Sequence, residues 1–466
     1  MRLLHLASAW LPFLLLLVQV HALVHEQVAF DNSDVCWWSL VPPDLICPVL
    51  TQQNLTEIVQ NLIRPYQWDG GKDCAGIYCL YSNRGFAGGR GIAVITTPEN
   101  MTRVKQVGDL LQEYEVSFNN DNDTLPFHIG DIEGKGEGIV SRQLLARGDP
   151  IMAHTPILLV HRAFTQELAQ DTQQDLLELA IQSLPDQTAE VFMDHLSRTP
   201  GQRRIAAILT TNAFEVDLTG EDGHHYGVFP EAARLNHHCR PNAAFYVDPS
   251  TLMHVTTAVQ PVTPGEELTL SYLDPFASLA DRQEHAQLAW GSGCGCSQCA
   301  LAVEEATESD TRLREIRWIE GQLGDFNSSE DVSVGIITYL LRLYENERLQ
   351  CCMAGAYTLA ALNFNSLGYD KRAVKYAGLA IEALKIEKGE GAPDVRVMED
   401  LIRDPRGHST FAVRVKGSRR ALVLFEKRLG TEVGISVEIG VEGAGHHGQS
   451  ADVKAGDFFS EDSGDA

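Results

Sequence analysis

The chain is poor in positive charge for its length. Its 466 residues hold 37 Lys and Arg against 63 Asp and Glu, a formal net charge of −26. Nucleic-acid phosphates would be repelled by such a surface, so no direct nucleic-acid partner is expected, whereas a Lys-rich polypeptide suits it. Long apolar runs are equally scarce. Beyond residue 22 no stretch approaches the length needed to span a bilayer, so no membrane attachment is expected once the N-terminus is processed. With 44% apolar and 21% charged residues, the remainder has the composition of a globular protein, large enough for about two to four domains.

Residues 1–22 are different material. Arg2 gives a small positive start, Leu11 to Val18 is almost wholly apolar, and Val20-His21-Ala22 suits a signal peptidase. This is the pattern of a cleaved signal peptide, and a retained anchor is the rival reading. It predicts the secretory pathway or extracellular space. Sequons at Asn54, Asn100, Asn122 and Asn327 agree with that route, making the chain a candidate glycoprotein. Cys36, Cys47, Cys74 and Cys79 form an even set that an oxidising lumen would convert to two disulfides, with three pairings open. Four reduced core cysteines or a loosely spaced zinc site are the alternatives.

Residues 23–125 read as a small Cys-containing N-terminal module. Within it Gly76–Tyr81 and Gly91–Thr96 are β-branched and aromatic, and a Gly-rich link joins them as strand, loop and strand. The polar run 119–123 ends the module. Residues 126–276 are short strands broken by Gly and Pro, with a helical insert at 166–197 marked by Leu168, Leu176, Leu177, Ala180 and Ile181 at helical spacing. From 305 to 430 the chain turns helical, and Ala354–Gly368 followed by Lys371–Lys388 resembles one tetratricopeptide-type hairpin. The acidic, Gly-rich stretch 435–466 lacks large apolar groups and reads as disordered.

Four segments carry chemistry. Gly134-Lys135-Gly136-Glu137-Gly138-Ile139 lets backbone approach a ligand closely, but no βαβ unit surrounds it, so it is not a dinucleotide fingerprint. Arg234 to Asn242 reads Arg-Leu-Asn-His-His-Cys-Arg-Pro-Asn, which alone fits a surface loop or a metal site. Gly265-Glu266-Glu267-Leu268-Thr269-Leu270-Ser271-Tyr272 ends a strand on an aromatic that would ordinarily be packed. Finally, Cys294, Cys296 and Cys299 have Cys-x-Cys-x-x-Cys spacing. Three thiolates need a fourth ligand to complete a tetrahedral zinc site, and an oxidised pair plus a free thiol is the other reading. Cys351-Cys352 lacks ligand spacing and reads as core packing.

In this order the segments resemble the SET-domain lysine methyltransferases. The signature Asn-His-Ser-Cys-x-Pro-Asn matches residues 236–242 with His238 in place of Ser, and Gly-Glu-Glu-Leu-Thr-x-x-Tyr matches 265–272. The subgroup it looks like is the SMYD-like, fungal-type one, with a post-SET segment at 285–300 and no MYND module. The resemblance implies a mixed α+β architecture: a SET-type β-clip of short strands with a pseudoknot, followed by the helical, TPR-like C-terminal region. It implies S-adenosylmethionine as cofactor, held by Lys135, Gly136, Gly138, Asn236 and His237. Tyr272 is implied as the catalytic residue, with Phe245, Tyr246 and Phe276 as weaker candidates for the channel wall. Cys239 is implied as the fourth ligand of a structural zinc beside Cys294, Cys296 and Cys299. The expected substrate is a protein or peptide lysine, and the family's usual compartment, cytoplasm or nucleus, competes with the secretory reading. The rival function is an inactive SET-fold binding protein working through its helices.

Overall fold

The computed structural model describes residues 67–111, 125–195, 203–218, 222–326 and 332–415. The signal segment, Cys36, Cys47, the sequons at Asn54, Asn122 and Asn327, the run 119–123 and the acidic tail lie outside these residues. In chain order the strands begin with β1 (Asp69–Ala75), β2 (Tyr78–Asn83), β3 (Ile92–Thr96), β4 (Phe127–Ile132), β5 (Gly136–Ser141), β6 (Pro150–His154) and β7 (Leu158–His161). They continue with β8 (Ala213–Asp217), β9 (His224–Val228), β10 (Asn236–His237), β11 (Ala243–Asp248), β12 (Met253–Ala258) and β13 (Glu267–Leu270).

These strands form three sheets, in the spatial orders β1-β2-β3-β7-β9-β8, β10-β13-β5-β4 and β11-β12-β6. The expected strand–loop–strand unit is present as the antiparallel pair β2–β3. The separate module does not hold for its described part. β3 pairs in parallel with β7, Val94 opposite Leu159, so residues from both sides of position 125 share one sheet. The reason is burial: every residue of Ile-Ala-Val-Ile-Thr in β3 is buried, with Ile92 and Val94 in one core and Ala93 and Ile95 in another, and a strand apolar on both faces belongs in the middle of a sheet covered on both sides. Cys74 and Cys79 close a disulfide between β1 and β2. Asn100, one of the candidate glycosylation sites, is 3% exposed and donates from Nδ2 to the Asp222 carbonyl at 3.0 Å. Its amide is committed to the interior and does not face solvent.

The helices are α1 (Pro98–Leu111), α2 (Arg162–Glu167), α3 (Gln170–Ser183), α4 (Asp186–Met193), α5 (Arg204–Asn212) and α6 (Leu279–Trp290). Beyond them lie α7 (Val303–Gly324), α8 (Val334–Asn346), α9 (Met353–Ser366), α10 (Asp370–Lys388) and α11 (Pro393–Arg403). The insert is thus longer than expected, running from α2 through α5. Its apolar stripe, Leu176, Leu177, Ala180 and Ile181, packs with Ala93, Ile95 and Leu158 of the first sheet. Gly91 illustrates how closely the insert approaches: a Cβ there would lie 2.3 Å from Pro185 Cδ, and its φ of +77° also disfavours a side chain.

In the C-terminal part α9 and α10 are joined by a turn at Gly368, whose φ is +80°. Ala373, Ala377, Ala380 and Ala383 of α10 recur every three or four residues, are fully buried, and share a core with Ala356, Ala360 and Ala361 of α9. Small side chains at that spacing let two helices approach closely. Among the described residues no helix is long and apolar enough to cross a membrane.

Candidate functional site

The sequence-singled residues converge. β10 pairs in parallel with β13, setting Asn236 opposite Thr269 and His237 opposite Leu270, while β13 pairs with β5, which begins at Gly136. Lys135, Gly136, Gly138, Asn236, His237 and Tyr272 are thereby gathered onto neighbouring strands of one small sheet or their ends. Glu267 organises them: it accepts from Lys135 Nζ at 2.6 Å and from Asn236 Nδ2 at 3.0 Å. Asn236 Nδ2 also donates to the Glu137 carbonyl at 3.1 Å. Gly138 must be glycine here, because a Cβ would stand 2.6 Å from Asn236 Nδ2 and 2.6 Å from Ile132 Cγ1. Gly136 differs: its φ is +77° and nothing lies within 4 Å of a Cβ built there, so open space faces this backbone.

Tyr272 follows β13. Its hydroxyl donates to the carbonyl of Leu235, one residue before Asn236, and its backbone N–H donates to His237 Nδ1 at 2.9 Å. With Nδ1 accepting, the ring proton of His237 sits on Nε2, which faces Cys239 Sγ at 3.2 Å and donates to it. Burial pushes the His237 pKa down to about 4, so the ring is neutral at pH 7. Its ring lies 5.4 Å from that of Tyr272 and 5.1 Å from that of Trp290, which in turn meets Tyr272 edge-on at 6.0 Å. A single neutral histidine therefore links the tyrosine to the sulfur cluster.

Cys239, Cys294, Cys296 and Cys299 bring their Sγ atoms within 4.8 Å of one another. Cys239 Sγ stands 4.0 Å from that of Cys294 and 3.5 Å from that of Cys299. A regular tetrahedron with zinc–sulfur bonds of about 2.3 Å has edges of roughly 3.8 Å, so the spacing suits zinc. Hydrogen bonds from neighbouring thiols, that of Cys239 first, hold Cys296 and Cys299 down, Cys299 to about 7. Buried Arg282 bonds to Cys299 and donates to the Ala277 carbonyl at 2.5 Å, placing positive charge against the sulfurs. The cluster could hold a zinc ion.

His238, the departure from the expected Ser, turns toward the cysteine loop. Its Nε2 lies 3.0 Å from Ser297 Oγ, and its Nδ1 accepts the Arg240 N–H at 2.9 Å. It thus ties the signature segment to the loop between Cys296 and Cys299. Phe245, Tyr246 and Phe276 all line the open cleft that passes Lys135, Asn236 and Tyr272. Each is also packed: Phe245 stacks on His254 at 4.7 Å, Phe276 meets Tyr344 at 5.6 Å, and Gly389 lies against the Tyr246 ring. Cys351 and Cys352 border the same cleft and are half-buried, and Cys352 also packs against the helical core, as expected of it.

Three supports were not picked out by sequence. Trp290 closes the aromatic face of Tyr272. Asn242 clamps β13, accepting from Thr269 N at 2.9 Å and donating to the Glu267 carbonyl at 2.8 Å. Arg240 reaches Glu347 after α8, Nη2 to Oε2 at 2.7 Å, with side chains 2% and 1% exposed. Glu347 also accepts from Arg312 Nε at 2.6 Å and Ser309 Oγ at 2.8 Å. Burial alone would raise the Glu347 pKa, but the bonds from Arg240, Ser309 and Arg312 win and hold it below the usual carboxylate range. Replacing the carboxylate by Glu347→Gln strands a buried guanidinium, and is expected to cost about 3–5 kcal/mol. Melting curves against pH check this. A carboxylate depressed on folding stabilises above its unfolded pKa of about 4.3, and that stability fades as pH falls through the lower folded value. The gap between wild type and variant should therefore be full at pH 7 and shrink in acid.

Residues 136–273 match the SET domain family model, and the chain carries a SET domain. It is similar to SET domain-containing protein SmydA-8, isoform A, of Drosophila melanogaster, 31% identical over 149 residues, 31% of this chain and 29% of that protein. It is similar to Histone-lysine N-methyltransferase set5 of Schizosaccharomyces pombe, 24% identical over 203 residues, 43% of this chain and 59% of that protein. It also resembles N-lysine methyltransferase SMYD2 of Homo sapiens, 27% identical over 123 residues, 26% of this chain and 28% of that protein. The chain thus spans between 28% and 59% of the length of these relatives.

Proposed function

We propose that the chain is an S-adenosylmethionine-dependent protein-lysine N-methyltransferase with Tyr272 at the reacting centre. The observation that carries this is the placement of Tyr272 and Asn236 on one cleft, with the tyrosine hydroxyl anchored on the Leu235 carbonyl. Relatives named as histone-lysine and N-lysine methyltransferases support a protein lysine as acceptor. The net charge of −26 favours a basic polypeptide. The signal-type N-terminus and the Cys74–Cys79 bridge support a secretory route.

The residues present suit the cofactor. Lys135, Gly136, Gly138, Asn236 and His237 would hold it, with open space beside the Gly136 backbone and the lack of a side chain at Gly138 letting Asn236 pack close to that strand. When bound, S-adenosylmethionine supplies an electrophilic sulfonium methyl. This chain's part is positioning and proton control. An ammonium has no lone pair, so the incoming lysine must lose a proton, and aromatic walls such as Trp290 and Tyr272 disfavour its charged form. The Tyr272 hydroxyl and the Leu235 carbonyl orient the neutral amine for in-line attack. The four cysteines would hold a structural zinc that fixes the Trp290 loop and, through His237, Tyr272.

Calorimetric titration of the full chain with S-adenosylmethionine tests the reading. Saturable one-site binding, weakened at least tenfold by Asn236→Ala, is expected. Absence of heat under all conditions would favour a SET-fold scaffold without transferase activity.

A further inference from the structure

Two thiols stand apart from the sulfur cluster and have no role in the chemistry proposed above. Cys351 and Cys352 are adjacent in the short 3-10 turn Gln350–Cys352, just before α9. Their Sγ atoms lie 3.2 Å apart, within hydrogen-bonding reach of each other. A disulfide has an S–S length of about 2.0 Å, so the gap to close is roughly 1.2 Å. Both are half-buried and border the open cleft, Cys352 with one side packed against the helical core. Among the described residues they belong to no cluster of three or more metal-ligating groups; the one such cluster consists of Cys239, Cys294, Cys296 and Cys299.

The geometry points to Cys351–Cys352 as a thiol–disulfide site in the cleft wall, a vicinal dithiol that small disulfides oxidise to an intramolecular bridge. The order of events follows from the two environments. The hydrogen bond from Cys351, then burial, pushes the Cys352 thiol well up, so the first attack falls to Cys351. The Cys351 thiol gives its proton to solvent and its sulfur attacks the small disulfide, forming a mixed disulfide and releasing one thiolate. Cys352 then loses its proton and attacks the Cys351 sulfur, and the second thiolate leaves. Two protein thiols and one small disulfide become one protein disulfide and two small thiols, so electrons and protons balance.

The site can be read chemically without any activity assay. Tryptic cleavage after Arg348 and Lys371 releases one peptide carrying both cysteines and no others. Full-length protein kept in zinc is incubated with oxidised glutathione, its free thiols are alkylated, and this peptide is weighed. The expected peptide takes no alkyl groups and is lighter by two hydrogens, and dithiothreitol restores both alkylation sites. Cys352→Ser should trap glutathione on Cys351, whereas Cys351→Ser should take up at least tenfold less. Wild-type protein that stays doubly alkylatable, or that holds glutathione on one cysteine without closing the bridge, overturns the proposal. So does equal labelling of the two single variants.

Discussion

Tyr272→Phe is expected to fold like wild type and to transfer methyl groups about a hundredfold more slowly, the scale seen when one preorganised donor is removed from a reacting centre. The fold should tolerate the change. The ring keeps its contacts with His237 and Trp290, and the backbone N–H that binds His237 Nδ1 is untouched. Only the hydroxyl on the Leu235 carbonyl disappears. If the loss lies in positioning the amine, kcat should fall with little change in the affinity for S-adenosylmethionine. A matched fall in cofactor binding would place the hydroxyl in the cofactor's pocket instead.

The second large effect concerns the sulfur cluster. Purified protein should carry one zinc per chain, and chelation or Cys296→Ser should open the loop from Trp290 to Cys299 to proteolysis. Zinc held by four thiolates contributes on the order of 10 kcal/mol in small structural sites, comparable with a whole domain's stability of about 5–15 kcal/mol. Damage should not stop at the loop. His237 donates to Cys239 while accepting from the backbone of Tyr272, so a disordered Cys239 frees the tyrosine end of β13 as well. Metal analysis by mass spectrometry, followed by timed proteolysis with and without chelator, gives the readout. Metal-free protein with an intact, protease-resistant loop would contradict the reading.

How much could be read from sequence depended on whether the signal was local. Asn236, His237, Cys239, Tyr272 and the Cys294–Cys299 spacing are short strings whose chemistry is visible in one line, and the fold brings them together. Pairings across long stretches were not visible. β3 and β7 join in parallel over more than sixty residues, and nothing in Ile-Ala-Val-Ile-Thr names its partner, so the strands before residue 125 looked like a module of their own. The Arg240–Glu347 pair, 107 residues apart, was hidden for the same reason: charge pairs are chosen by the packed structure. Trp290 carries no local signal in the sequence, and only its place at the end of α6 reveals it as the wall beside Tyr272. His238 shows the converse. Sequence exposes its departure from the signature, but its direction, toward Ser297, is set by packing against the cysteine loop.

We propose that Tyr272 stands where a methyl group passes from cofactor to lysine. The most direct measurement follows label from methyl-labelled S-adenosylmethionine into lysine-bearing basic peptides, using wild type and Tyr272→Phe side by side at equal cofactor occupancy. The expected result is transfer by wild type and about a hundredfold less by the variant. Equal transfer by the two proteins would contradict the assignment of Tyr272.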